Sequence, residues 1–369
     1  MAQSTYSSVV LAQRPKALIV PGETFAVKEN PMVSEKDLKD GQVIVETLYL
    51  SLDPAMRGWL NDTRSYIPPV QIGEVMRGAV IGKITASKSS KFGPGDYVTV
   101  TAGWTEVAIV DEKEVTRLEV PENTMVTDAL GVLGMTGLTA YFGILDVGQV
   151  KAGDFVVVSG AAGATGSVVC QIAKLKGAKV LGIAGSDDKV QWLKDLGCDD
   201  ALNYKSTDFA REFKEKTADL IDVFFDNVGG EILELALSRA KAHSRFVMCG
   251  GNYQPVQFLQ SSGAKGKPIN SQRVAAQTNS PQNISMVIVM RIKLQGFIVF
   301  DYAKQFTQAR TELMKWLAEG KLQRKETIVK GGLKAAEQAL LDLYNGVNTG
   351  KLLVEVKADD SGSGVGSRL

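Results

Sequence analysis

One segment constrains the fold more than any other. The apolar run at 155–159 (FVVVS) is followed at once by Gly160-Ala161-Ala162-Gly163-Ala164-Thr165-Gly166. A helix-like stretch at 167–176 and a second strand-like run at 179–183 come next. Small residues at a strand-to-helix turn allow close backbone approach to a pyrophosphate, and the helix N-terminus offers N–H groups and partial positive charge. The strict G-x-G-x-x-G pattern fails, because Ala161 takes its first glycine position. A turn built only for close packing is the alternative. The flanking strand, helix and second strand favour dinucleotide binding.

The rest of the chain divides around that segment. Runs at 16–20, 41–53, 78–86, 96–101 and 105–110 are β-rich and separated by Gly, Pro, Asn and Asp clusters, so the first 130 or so residues read as a β-rich domain. Beyond residue 127 strand-like and helix-like runs alternate: 189–196, 223–226, 232–239 and 246–249 continue the series. Such alternation signals βαβ units and a mostly parallel sheet. A polar stretch at 254–283 reads as a surface excursion. It is followed by a strand-like run at 294–300, an amphipathic helix at 303–317 and a last strand at 352–356. The Ser/Gly-rich end, 358–369, reads as a disordered tail.

Composition removes whole classes of function. With 42 basic against 41 acidic residues the net charge is +1, which lacks the basic surplus of a nucleic-acid binder. The uncharged stretches 129–145 and 155–173 are broken by Gly, Ser and Thr, so neither reads as a membrane span. The first 16 residues lack the pattern of a secretory signal. Three cysteines cannot form a disulfide framework and suit a reducing compartment, while a single histidine, His243, bars any mechanism needing two.

Cofactor type is read where the second strand ends. An acid there binds the ribose hydroxyls of NAD, whereas a basic neighbour accommodates a 2′-phosphate. Here Ala184 and Gly185 stand where the acid is wanted and Lys189 follows, which favours NADPH. Asp187 and Asp188 are the competing reading, as an acid displaced by a register slip. A solvated surface lysine is the alternative for Lys189.

Over nearly its whole length, to about Lys357, the chain resembles the medium-chain dehydrogenase/reductases. The segment Phe92-Gly93-Pro94-Gly95-Asp96-Tyr97-Val98 resembles a turn of that superfamily's GroES-like catalytic domain. Leu52-Asp53-Pro54-Ala55-Met56-Arg57, Gly137-Leu138-Thr139-Ala140-Tyr141-Phe142-Gly143, Gly185-Ser186-Asp187-Asp188-Lys189, Phe225-Asp226-Asn227-Val228-Gly229-Gly230 and Asn348-Thr349-Gly350-Lys351 are similar to its zinc-free prostaglandin reductase and alkenal double-bond reductase branch, which includes curcumin-reductase-like proteins. The resemblance implies an α/β fold, with a Rossmann-type doubly wound parallel sheet (131–311) and a β-rich GroES-like catalytic domain (1–130 and 312–357).

It further implies the site. Gly163, Ala164, Thr165 and Gly166 would cradle the pyrophosphate, and Lys189 and Tyr204 would hold the 2′-phosphate end. Asn227, Cys249 and Gly250 would line the ribose and nicotinamide, with Phe297, Ile298, Val299 and Asn348 closing around the ring. Cys249 as a small buried residue and Phe297 as core are the bland alternatives. Where relatives carry a Gly-His-Glu zinc-ligand segment, this chain has Gly73-Glu74-Val75; no Cys-x-x-Cys occurs, and Cys170, Cys198 and Cys249 all fall outside the catalytic domain. Catalytic zinc needs about three protein ligands, so no metal is expected.

The expected function is therefore NADPH-dependent reduction of the C=C bond of α,β-unsaturated aldehydes or ketones, by an oxidoreductase acting on CH–CH groups. Hydride goes to the β-carbon, and the resulting enolate needs a hydrogen-bond donor. Tyr253 is the candidate, although it follows Cys249-Gly250 two residues sooner than in relatives, and a structural tyrosine is the alternative. Ala55, where many relatives have Tyr, should widen the substrate mouth, which Tyr66-Ile67-Pro68-Pro69 would line. The competing functions are an NADPH quinone oxidoreductase and a non-catalytic, crystallin-like or RNA-associated member. The expected partner is a small enone or enal, with no nucleic acid and no membrane. Edge pairing through 294–300 would make a homodimer by family analogy. Cytoplasm is the expected location, with a peroxisome as the alternative because the chain ends Ser367-Arg368-Leu369.

Overall fold

A computed structural model describes residues 5–16, 18–118, 124–250 and 283–358. The chain forms two compact units: one of Met1–Leu138, Gly163–Thr165 and Lys304–Leu369, the other of Thr139–Ala162 and Gly166–Ala303.

The first unit begins with an antiparallel hairpin of β1 (Thr5–Leu11) and β2 (Phe25–Pro31), which the sequence reading did not single out. Of the strand expected at 16–20, residues 18–20 are not strand. The carbonyl of Val20 instead accepts from Glu23 and Thr24 in a turn through Pro21 and Gly22 that leads into β2. The spine is β3 (Gln42–Leu52), buried along most of its length and paired antiparallel with β4 (Val80–Ser87) and β6 (Val107–Asp111). The short helix α1 (Met56–Trp59) follows β3 directly. β5 (Tyr97–Val100) and β7 (Thr116–Arg117) extend the sheet beyond β4. Fully buried Leu50, Met76 and Trp104 sit in the core, with Phe25 stacked on Trp104 at 5.2 Å.

Helix α2 (Met135–Phe142) runs into a π-helical turn over Gly143–Val147. The second unit is then a six-stranded parallel sheet of β8 (Phe155–Val158), β9 (Lys179–Ala184), β10 (Asp200–Asn203), β11 (Ile221–Asp226), β12 (Ala240–Met248) and β13 (Lys293–Gly296), ordered β10-β9-β8-β11-β12-β13. That is the doubly wound order, with its switch point between β8 and β11. All four β8 residues are buried, as in a strand covered on both faces. The helices are α3 (Ala164–Leu175), α4 (Asp187–Asp195), α5 (Phe209–Lys216), α6 (Gly230–Ser238) and α7 (Met286–Val289). Val157, Leu181, Phe213, Phe224 and Phe246 make the core.

The strand expected at 294–300 is shorter than its apolar pattern. β12 ends at Met248, whose partner is Gly296, so the ladder has nothing further to pair with, and a 3₁₀ segment starts at Val299. Helices α8 (Phe306–Ala318) and α9 (Ala336–Tyr344) and strands β14 (Glu326–Val329) and β15 (Lys351–Glu355) return to the first sheet, ordered β14-β15-β3-β4-β5-β7 with β6 also on β3. Among the described residues, no helix is long and apolar enough to cross a membrane.

Candidate functional site

The glycine-rich turn lies between β8 and α3, and the helix starts at Ala164, earlier than the apolar pattern suggests. Ala164, Thr165 and Gly166 therefore form its first turn, where N–H donors point along the axis toward an anion. A Cβ on Gly166 would collide with the Gly160 carbonyl oxygen and crowd Ala161 at 2.8 Å, so only glycine lets the helix begin this close to the strand.

Tyr204, expected at the adenosine end, lies against Gly185. A Cβ there would lie 3.0 Å from the Tyr204 hydroxyl oxygen, so the phenol rests against the backbone just past β9. Burial pushes that phenol above its ordinary pKa. Lys189, in the first turn of α4, is 8% exposed, which sets aside the solvated-lysine reading. Burial lowers the Lys189 pKa; Asp188 opposes the shift and Lys205 adds to it. The two acids that compete for the ribose have other work. Asp187 accepts from Asn203 Nδ2 at 2.8 Å, and Asp188 is held below the ordinary carboxylate range first by the Ser186 side chain.

The residues expected around the ribose and nicotinamide follow the ends of β11 and β12. Asn227 follows β11 and its Nδ2 donates to the Ser159 carbonyl at 2.8 Å. The N–H groups of Cys249 and Gly250 both donate to the Asp226 carbonyl, which places them beside Asn227. Burial first, and then the Asp226 carboxylate, push the Cys249 thiol up to about 12, so it is no nucleophile at neutral pH. Phe297 packs against the π-helical turn: a Cβ on Gly143 would lie 2.7 Å from its ring and from that of Phe225. Ile298 accepts from the Asp301 N–H, and Val299 opens the 3₁₀ segment.

Gly163, Ala164, Thr165 and Asn348 group with the first unit. Gly163 bridges Gly350, and Asn348, 8% exposed, donates from Nδ2 to the Gly350 carbonyl at 2.8 Å. In that unit Asp53 is gripped by Lys351 at 2.6 Å and by the Ser51 hydroxyl, Arg57 Nη1 donates to Asn61 at 2.6 Å, and Trp59 Nε1 donates to the Tyr66 hydroxyl at 3.0 Å. Tyr253 lies outside the described residues, as does most of the polar stretch at 254–283. Among the described residues no group of three or more His, Cys, Asp or Glu could hold a metal ion.

Sequence reasoning missed Ser159 and Asp226, which are both fully buried and joined at 2.7 Å. A carboxylate closing the apolar run Val223-Phe224-Phe225 of β11 was the available signal.

Comparison with known proteins follows this geometry. Residues 7–118 match the family model "N-terminal domain of oxidoreductase" and residues 164–319 the model "Zinc-binding dehydrogenase". The chain is 36% identical to the NADPH-dependent curcumin reductase of Escherichia coli (strain K12) over 95% of this chain and 97% of that one. It is 39% identical to prostaglandin reductase 1 of Bos taurus over 86% and 90%. The structure of CurA from Vibrio vulnificus in complex with NADPH superposes with a TM-score of 0.81 at 36% identity, covering 96% of this chain and all of that one (100%). The fold and site define a medium-chain dehydrogenase/reductase. The chain belongs to the prostaglandin reductase and curcumin reductase branch of that superfamily, a family of NADP-dependent oxidoreductases.

Proposed function

We propose that this chain uses NADPH to reduce the C=C bond of α,β-unsaturated aldehydes and ketones, without zinc. The observation that carries the reading is the pairing of a buried lysine, Lys189, just past β9, with the fixed amide of Asn227, just past β11, both following the carboxyl ends of strands of the parallel sheet. The residues fit a phosphorylated dinucleotide: Gly166 lets α3 begin close against the turn after β8, which leaves N-terminal N–H groups there for a pyrophosphate, and Gly185 lets the Tyr204 phenol lie against the backbone just past β9.

When bound, NADPH supplies the hydride that adds to the β-carbon. Lys189 and Tyr204 would hold the 2′-phosphate; Gly163, Ala164, Thr165 and Gly166 would hold the pyrophosphate. Asn227, Cys249 and Gly250 would line the ribose and nicotinamide, and Phe297, Ile298, Val299 and Asn348 would close around the ring. A ketone or alcohol is harder to polarise without a Lewis acid, whereas a conjugated C=C needs a donor at the enolate oxygen and a proton delivered to the α-carbon, from the Tyr253 phenol or from water. Tyr253 is assigned that donor, and Ala55 widens the opening for bulky enones. The relatives' names, curcumin reductase and prostaglandin reductase, support this substrate class.

The functional division is a catalytic domain (1–130, 312–357) and a cofactor domain (131–311). β13 is an edge strand of the described sheet, and pairing through it would make a homodimer. The working location is the cytoplasm. Ser367-Arg368-Leu369 lies outside the described residues, and the peroxisomal reading gains no support from the relatives.

A panel of enones, enals, alcohols and quinones, followed by NADPH absorbance, tests the reading. Turnover should fall on the enones and enals and survive dialysis against a chelator. Turnover of quinones alone, or rates lost with stoichiometric zinc, would overturn it.

A further inference from the structure

Ser159 follows β8 and Asp226 ends β11, the two strands that flank the switch point of the parallel sheet. Both side chains are fully buried. The hydroxyl of Ser159 donates its one proton to Asp226 Oδ1 at 2.7 Å, so its lone pair accepts from the Asn227 N–H at 2.8 Å. The Ser159 carbonyl accepts from Asn227 Nδ2. Asp226 Oδ1 also accepts from the N–H groups of Val228 at 3.1 Å and Gly229 at 2.9 Å. The Ser159 hydroxyl and the Asp226 carboxyl group thus fix the backbone at Asn227, and that backbone sets the amide against the main-chain carbonyl of Ser159.

Two apolar side chains would hold these strands together without the cost of burying a carboxyl group. That cost is present here. Among the described residues Asp226 Oδ2 is buried without a partner, and burial raises the pKa of the group. Sites that depart from the locally favoured choice tend to be functional ones. What the network achieves is polarity. With one Nδ2 hydrogen committed to the Ser159 carbonyl the amide cannot flip, so Oδ1 is held on the side away from that carbonyl, and an acceptor suits a sugar hydroxyl.

We propose that Ser159 and Asp226 are positioning residues that orient Asn227 so that its Oδ1 accepts a hydrogen bond from the nicotinamide ribose of NADPH. This rests on the NADPH reading above. It predicts an effect confined to one half of the cofactor, which a merely structural role would not give.

The test compares affinities for NADPH and for adenosine 2′,5′-bisphosphate, which carries only the adenosine half, by fluorescence titration of the full chain. Ser159→Ala should weaken NADPH about 10-fold and leave the bisphosphate within about twofold. Asp226→Asn, which keeps an acceptor at Oδ1, should stay within about threefold on both. If Ser159→Ala does not fold, Ser159→Gly removes the same hydroxyl without placing a methyl group there. Equal weakening of both ligands, or no change in NADPH affinity, would overturn the proposal. A wild-type chain that bound neither ligand would overturn the NADPH reading and this proposal with it.

Discussion

The two ends of the proposed cofactor site solve opposite problems with different chemistry. At the proposed adenosine end Lys189 is 8% exposed, and burial lowers its pKa. At the nicotinamide end no cation is used. The Ser159–Asp226–Asn227 network and the N–H groups of Cys249 and Gly250 set direction rather than charge. A charge discriminates between two cofactors; a fixed amide orients a ring. The first end should therefore govern which cofactor binds, the second how it is presented.

Each end can be broken separately. The largest effect is expected at Tyr253. If its phenol serves the enolate oxygen, Tyr253→Phe lowers kcat by about 100-fold or more with NADPH affinity unchanged. A fall of less than about threefold passes that role to the ribose hydroxyl, and the nicotinamide end then works without a side-chain donor. Lys189→Ala should raise the KM for NADPH by roughly 10- to 150-fold and that for NADH little, as a charge-assisted phosphate contact worth about 1.5–3 kcal/mol requires. Equal changes for both cofactors would mean that Lys189 does not read the 2′-phosphate.

A smaller effect sharpens the contrast through pH. The lowered pKa means that Lys189 gives up its proton before an ordinary lysine does. NADPH affinity should thus weaken as pH rises toward the usual lysine range, while NADH affinity stays flat. The same shift acts on the fold with the opposite sign. A charged, desolvated Lys189 costs the folded state at pH values below its lowered pKa, and that cost is relieved as pH rises through it.

The two ends also differ in how far they can be read from sequence. Lys189 is legible because Ala184 and Gly185 stand where an acid is otherwise needed and its charge follows them, at the end of the strand after the glycine-rich turn. Ser159 and Asp226 are not, since one hydroxyl and one carboxyl group gain meaning only when β8 and β11, 67 residues apart, lie side by side. The parallel sheet is legible for a similar reason: β8, β9 and β11 are buried on both faces and read as continuous apolar runs. The hairpin β1–β2 carries no such run, because most of β2 (FAVKENP) is exposed. Residues 18–20 mislead in the other direction, an apolar stretch that a following Pro-Gly pair turns toward β2.

The central claim concerns where the hydride goes. The chain is incubated with a conjugated enone and NADPH deuterated at the nicotinamide C4, and the product is read by NMR. The account predicts a saturated ketone carrying deuterium on the former β-carbon. An allylic alcohol with deuterium on the former carbonyl carbon would contradict it.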